Sequence, residues 1–145
     1  MPFDRKKLHK DMVEYLMLNT PYGKPIQSMD LGDWRWHYVH PFASLQMLLH
    51  RAPALDDFIW NLHQRFPSSP VRPWNIIWYT DEATSGNLLK QDPSKKSWVM
   101  YWSFAEFGPE VLCRVCAWFH MGMVRVRRVD EMASGMTAVS YTHLT

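Results

Sequence analysis

The chain has 145 residues, of which 47% are hydrophobic, and a net charge of only +2. This length suits one domain with a sizeable core, and so small a charge does not by itself require nucleic acid or an acidic partner. Two cysteines, no signal peptide and no apolar run near the ~20 residues of a membrane span predict an intracellular, reducing compartment and no membrane partner.

The front part of the chain, residues 1–66, is predicted to be a helical region. A helix is expected over residues 4–19, with an N-terminal cap and a hydrophobic staple. Residues 24–33 show no regular period, and the alternation of aromatic and polar side chains over 34–39 predicts a short extended segment. Prolines followed by apolar stripes predict two further helices, over 41–51 and 53–66.

A proline-rich linker at residues 67–73 separates the helical region from a β-rich part over 74–137. Aromatic and β-branched residues predict three strands in that part, at 74–80, 97–104 and 118–127. Sequential strands usually pair with their neighbours, so a three-stranded antiparallel sheet is expected. The predicted fold class is therefore α+β, with a helical N-terminal half packed on this sheet. A helical turn is expected at 110–116, and Asp130 is expected to cap a following helix.

The last eight residues, 138–145, are interpreted as an artefactual tail. The codons of Val139 to Thr145 can be written in register as a library-preparation adapter, and such scars do not belong to the fold. A genuine strand rich in Ser and Thr is the alternative. Under the adapter interpretation, natural sequence stops near Thr137, and the chain is a truncated piece of a longer protein.

Asp81 is the candidate functional residue, because it follows an apolar strand and precedes a long polar connection. Two-metal phosphodiester chemistry needs carboxylates that are held on a rigid element and open to solvent. Neighbouring strand residues point to opposite faces, so Glu82 is not expected to share a metal with Asp81. In a hairpin centred near residue 89, Asp81 lies near Ser97 and far from Glu106. The alternative is a carboxylate pair that only ends a strand, and a ribbon that continues towards residues 91–93 is equally open.

The pair Cys113 and Cys116, with His120, has a metal-like spacing, but zinc commonly takes two pairs of ligands and no second pair is present. Two buried free cysteines on a core-facing segment are the preferred interpretation, and a redox pair is the weaker one. His37 is expected to be exposed, and His40 to cap the helix that begins at Pro41.

Two further groups of residues, an aromatic ladder and a basic run, each have a structural and a functional interpretation. The aromatic ladder can pack in a core or stack on bases, and packing is favoured. The basic run can form a solvated strand face or meet phosphates, and the solvated face is favoured. The ladder consists of Trp34, Trp36 and Tyr38, and the run of Arg125, Arg127 and Arg128.

Segments 76–87 (IIWYTDEATSGN) and 98–108 (WVMYWSFAEFG) resemble the first two catalytic-core strands of Plavaka and Kyakuja-Dileera-Zisupton transposases. In that family an apolar strand carries the first acidic residue of a three-carboxylate metal site. The resemblance implies the start of an RNase H-like core, DNA as partner and Mg²⁺ or Mn²⁺ as cofactor. Only Asp81 maps onto the catalytic set, and the other two carboxylates are expected beyond Thr137.

The sequence therefore predicts a fragment of a metal-dependent DNA transposase or nuclease, inactive as truncated, with Asp81 as its catalytic and metal-binding residue. A nuclear location follows from this hypothesis. The alternative is a non-catalytic module, whose aromatic-rich strands bind another protein.

Overall fold

The computed structural model describes residues 10, 14, 19–32, 34–84 and 95–131. The predictions for most of helix 4–19, for the connection after residue 84 and for the tail at 138–145 lie outside these residues. The elements, in chain order, are β1 (Ile26–Asp30), β2 (Arg35–Val39), α1 (Pro41–Arg51), α2 (Pro53–Arg65), β3 (Ile76–Thr84), β4 (Lys96–Phe104), α3 (Pro109–Leu112), β5 (Phe119–Arg125) and α4 (Val126–Asp130).

The fold is α+β, and strands β3, β4 and β5 form an antiparallel sheet in that order, as predicted. The prediction of a helical N-terminal half is only partly right, because β1 and β2 pair as an antiparallel hairpin. This hairpin turns at Gly32, whose φ of 91° is a left-handed conformation that glycine adopts without strain. The sequence signal for β1 was weak because the strand is short and mixes apolar with polar residues.

The two predicted helices are present, and each begins at a proline, where the missing N–H costs no intrahelical hydrogen bond. His40 caps α1 as predicted, since its Nδ1 accepts a hydrogen bond of 3.2 Å from the backbone N–H of Ala43. The expected cap at Asp130 is wrong. The short helix α4 already begins at Val126, directly after β5, and Asp130 is its last residue.

Acid is expected to destabilise the protein through His40. The ring lies between Tyr22, Tyr38 and Phe42, and burial there lowers the pKa of His40 below its usual 6.5. Above pH 6.5 the imidazole is neutral in both the folded and the unfolded chain. Below pH 6.5 the unfolded chain binds the proton first, so stability falls as the pH drops towards the folded-state pKa. Protonation also removes the Nδ1 acceptor of the cap.

The check is urea unfolding at pH 7.5 and 5.5 of the natural chain and of a His40→Asn variant. Asparagine also caps helices but does not titrate. From pH 7.5 to 5.5, the free energy of unfolding should fall by up to about 1 kcal/mol more in the natural chain than in the variant. This is the usual contribution of an N-cap. Identical pH dependence of the two proteins would contradict this role of His40.

The core lies on one face of the β3–β4–β5 sheet. Trp102 and Met100 of β4 are fully buried there, in a cluster that includes side chains of β2 and against which apolar side chains of α1 and α2 pack. Trp36 joins the β1–β2 hairpin to this core, because its indole N–H donates to the carbonyl oxygen of Met123 at 3.2 Å. Gly122 makes room for the ring, since a Cβ atom there would lie 2.9 Å from Trp36 Cζ2. The opposite face of the sheet carries the candidate site.

Candidate functional site

Asp81 lies inside β3, which continues three residues further to Thr84. Of the two predicted alternatives for the connection after Asp81, the continuing ribbon is therefore correct at least as far as Thr84. Asp81 pairs with Val99, whereas the sequence placed it near Ser97. A shift of two residues leaves the sheet face unchanged, because side chains alternate with a period of two. The side chain of Asp81 is exposed, on the face away from the core.

Asp81 and Glu82 point to opposite faces, as predicted. Glu82 forms an ion pair with Lys96, with 2.6 Å between Oε1 and Nζ. Among the residues that the structure describes, the Asp81 carboxylate has neither an ion pair nor a hydrogen bond. Glu106 lies at the far end of the ribbon, where it accepts hydrogen bonds from the backbone and side-chain N–H groups of Asn75. Of these carboxylates, Asp81 alone faces solvent with no such partner.

A depression of about 350 Å³ opens beside Asp81. It is lined by Tyr79, Asp81, Tyr101, Val115 and Trp118, and we call it the Asp81 depression. Tyr79 and Tyr101 are register partners on β3 and β4, so their rings meet on the same face. Trp118 reaches the depression from the segment between α3 and β5. The pairing of β3 with β4 thus positions Tyr79 and Tyr101 as two aromatic walls, and the segment between α3 and β5 positions Trp118 as the third.

The aromatic walls of the Asp81 depression are in mutual contact. The ring centroids of Tyr79 and Trp118 lie 5.8 Å apart with planes at 54°, and those of Tyr79 and Tyr101 lie 6.3 Å apart at 29°. The indole N–H of Trp118 donates to the carbonyl oxygen of Leu112 at 2.9 Å, which fixes the direction of that ring. The depression therefore has defined walls before any ligand binds.

The zinc hypothesis gains no support from the geometry. Cys113 and Cys116 are both exposed free thiols, so the prediction that they are buried is wrong. Val115, which lies between them, lines the Asp81 depression, whereas Ala117, which follows them, is buried in the core cluster. His120 is instead an edge-to-face neighbour of Tyr101, with ring centroids 5.9 Å apart. The described part of the chain contains no group of three or more His, Cys, Asp or Glu side chains able to hold a metal.

The predictions for the aromatic ladder and for His37 are confirmed, whereas the prediction for the basic run is wrong. Trp36 and Tyr38 are buried, so these members of the aromatic ladder belong to the core as predicted, and His37 is exposed as predicted. The basic run is not one strand face, because α4 follows Arg125 directly. Arg127 and Arg128 lie on α4 and both pair with Glu131.

Sequence reasoning missed the aromatic walls of the candidate site. The alternation along β3 placed Tyr79 on the same face as Asp81, and this signal was present but not used. Trp118 gave no such signal, because it lies before β5 and reaches the site only through the turn that follows α3.

No known family model, curated protein or solved structure is significantly similar to this chain. Within the residues that the structure describes, no helix is both long and apolar enough to cross a membrane.

Proposed function

We propose that Asp81 is the first metal-binding carboxylate of a metal-dependent enzyme that cleaves and joins DNA strands, and that this chain is a fragment of that enzyme. The observation that carries the proposal is the position of Asp81. It is held within a paired strand, faces solvent on the side opposite the core, and has no cation partner among the described residues. A carboxylate in this state is free to bind Mg²⁺ or Mn²⁺.

The strand order supports the same proposal. β3 is at the end of the β3–β4–β5 order, so in the described part of the chain its second edge carries no strand. A further strand added at that edge would bring a second carboxylate beside Asp81. Two-metal sites require such convergence, because the ions must bridge several protein oxygens and the phosphate. In this proposal the second and third carboxylates come from sequence beyond Thr137.

The proposal predicts a weak Mn²⁺ site centred on Asp81 in the present chain. Paramagnetic Mn²⁺ should broaden the amide NMR signals of Asp81 and of its register partner Val99 before signals elsewhere. An Asp81→Asn substitution should weaken this binding at least about tenfold, because the amide removes the anionic oxygen that hard cations require. The charge-matched control is Glu82→Gln, which changes the opposite face and should leave the Asp81-centred broadening intact.

The same titration separates the two candidate functions. The second candidate is a non-catalytic protein-interaction module, and exposed apolar side chains around the Asp81 depression favour it. Val115 is 91% exposed, Met123 57% and Tyr79 51%, all on the outer side of the sheet. Such a module needs no metal. Mn²⁺ broadening that is unaffected by Asp81→Asn would therefore refute the metal site and leave the interaction module.

A further inference from the structure

We propose that the Asp81 depression binds an organic cation, specifically a quaternary or methylated ammonium group such as the head of a trimethyl-lysine side chain. This inference does not rest on the proposed metal-dependent function. Both use Asp81, but they differ in the role of the aromatic walls.

Aromatic faces attract cations, because the π-system places negative charge above and below the ring. Three such rings, Tyr79, Tyr101 and Trp118, line one depression whose remaining wall includes a carboxylate. The planes of Tyr79 and Trp118 are tilted by 54°, so the two rings do not form the parallel slot that a flat base would enter. A compact, roughly spherical cation can instead rest against the ring faces that border the depression.

The charges around the depression also favour a cation over a stacked nucleic-acid base. Among the residues that the structure describes, Asp81 is the one charged residue of the lining, which contains no lysine or arginine. His120, which borders Tyr101, adds little positive charge at neutral pH, because partial burial lowers the pKa of the imidazole below its usual 6.5. Proteins that stack single-stranded bases on aromatic rings place basic side chains beside those rings, and the described lining contains none, so base stacking in the depression is disfavoured.

The polar groups of the depression distinguish methylated ammonium from other cations. Arginine presents five N–H donors and unmodified lysine three, and each donor removed from water needs an acceptor. Among the described lining residues, the side-chain acceptors are the Asp81 carboxylate and the hydroxyls of Tyr79 and Tyr101. A quaternary ammonium has no N–H donor, so it loses no hydrogen bond when aromatic and aliphatic side chains surround it. Val115 supplies the aliphatic contact for its methyl groups.

The walls are held in place by contacts outside the depression. Trp118 is fixed by the hydrogen bond of its indole N–H to Leu112, and the preceding residue, Ala117, accepts a 2.7 Å hydrogen bond from the buried hydroxyl of Ser103. Tyr101 lies between Tyr79 and His120. Because the rings need little rearrangement on binding, the entropy lost on ordering them is small.

The experiment is an NMR titration of the ¹⁵N-labelled chain with N-acetyl-trimethyl-lysine amide. The signal followed is the indole N–H of Trp118, assigned as the one missing from a Trp118→Phe variant. The matched ligand is the neutral isostere, in which a tert-butyl group replaces the trimethylammonium. The cation should bind at least about tenfold more tightly than the isostere, which corresponds to the ~1.4 kcal/mol range of partly desolvated cation–π contacts. Equal affinity for both ligands, or no saturable shift, overturns the proposal.

Variants locate the site and separate it from the metal site. Tyr79→Leu and Asp81→Asn should each weaken binding of the cation about five- to tenfold, whereas Trp60→Leu, which alters an exposed tryptophan on α2, should not. Amide spectra of each variant verify that the fold is retained. Tyr79→Leu should leave Asp81-dependent Mn²⁺ broadening intact, so failure of the cation proposal is distinguishable from failure of the metal proposal. Unchanged affinity in Tyr79→Leu overturns the aromatic site.

Discussion

Under the proposed function, an Asp81→Asn substitution is expected to abolish Mg²⁺-dependent DNA nicking by the whole enzyme of which this chain is proposed to be a part. The loss should be at least about 10³-fold, or roughly 4 kcal/mol of transition-state stabilisation, because the metal would lose an anionic ligand and its position relative to the scissile phosphate. The geometry supports this size of effect, since Asp81 is fixed by pairing with Val99 within a nine-residue strand. The measurement is conversion of supercoiled plasmid to open circle.

The matched control for nicking is Glu82→Gln. It removes the same charge one residue away, but on the other face of the sheet, where Glu82 pairs with the partly exposed Lys96. Exposed ion pairs contribute at most about 1 kcal/mol, so this variant should keep its nicking rate within a few-fold of the natural protein. Nicking that survives Asp81→Asn would end the nuclease proposal. Equal losses in the two variants would assign the effect to strand stability instead of metal binding.

The second large effect is expected on stability, from a Trp102→Ala substitution. Trp102 is 0% exposed, and its ring packs against Phe119 at a centroid distance of 4.9 Å and against Phe104 at 5.4 Å. Removal of a buried aromatic side chain costs about 3–5 kcal/mol of unfolding free energy, through lost burial and the cavity left behind. A domain of this size is stable by about 5–15 kcal/mol, so the variant should be close to unfolded at 37 °C.

The cost at Trp102 should come from packing alone. Its indole N–H has no hydrogen-bond partner in the described part of the chain, so truncation leaves no acceptor unpaired there. Urea unfolding followed by circular dichroism measures the loss. Trp60→Ala is the control, because Trp60 is 62% exposed and substitutions at such positions usually stay within about 0.5 kcal/mol. A loss below about 1 kcal/mol at Trp102 would mean that the core is not centred on this ring.

The helices show where sequence patterns suffice. Residues 41–51 were predicted as one helix and α1 spans Pro41–Arg51, while the second predicted helix differs from α2 by one residue at its end. The signals are local: proline at the first position, apolar residues with helical spacing and, for α1, a histidine cap. The extended segment predicted over 34–39 is confirmed as β2, but β1 and its pairing with β2 were missed. The hairpin is held by Trp36 packing against β5, about 87 residues away along the chain.

The three strands of the sheet were predicted, but the register between β3 and β4 differs from the prediction by two residues, since Asp81 pairs with Val99 and not with Ser97. Alternating aromatic residues identify strands β3 and β4, but register depends on which rings meet across the sheet. The pairing of Trp78 with Trp102 and of Tyr79 with Tyr101 sets that register. The cysteines were misplaced for a related reason. Composition favours burial of free Cys, but both thiols are exposed on the segment between α3 and β5.

By itself, the sequence determined the fold class, the positions of α1 and α2, the three strands of the sheet, and the opposite facing of Asp81 and Glu82. All of these follow from short-range periodicity. Tertiary structure alone decided that Asp81 shares a depression with Trp118, and that the N-terminal hairpin closes the core against Gly122. Those contacts join segments far apart in the chain, and burial of apolar surface, which is not encoded in any local repeat, selects them.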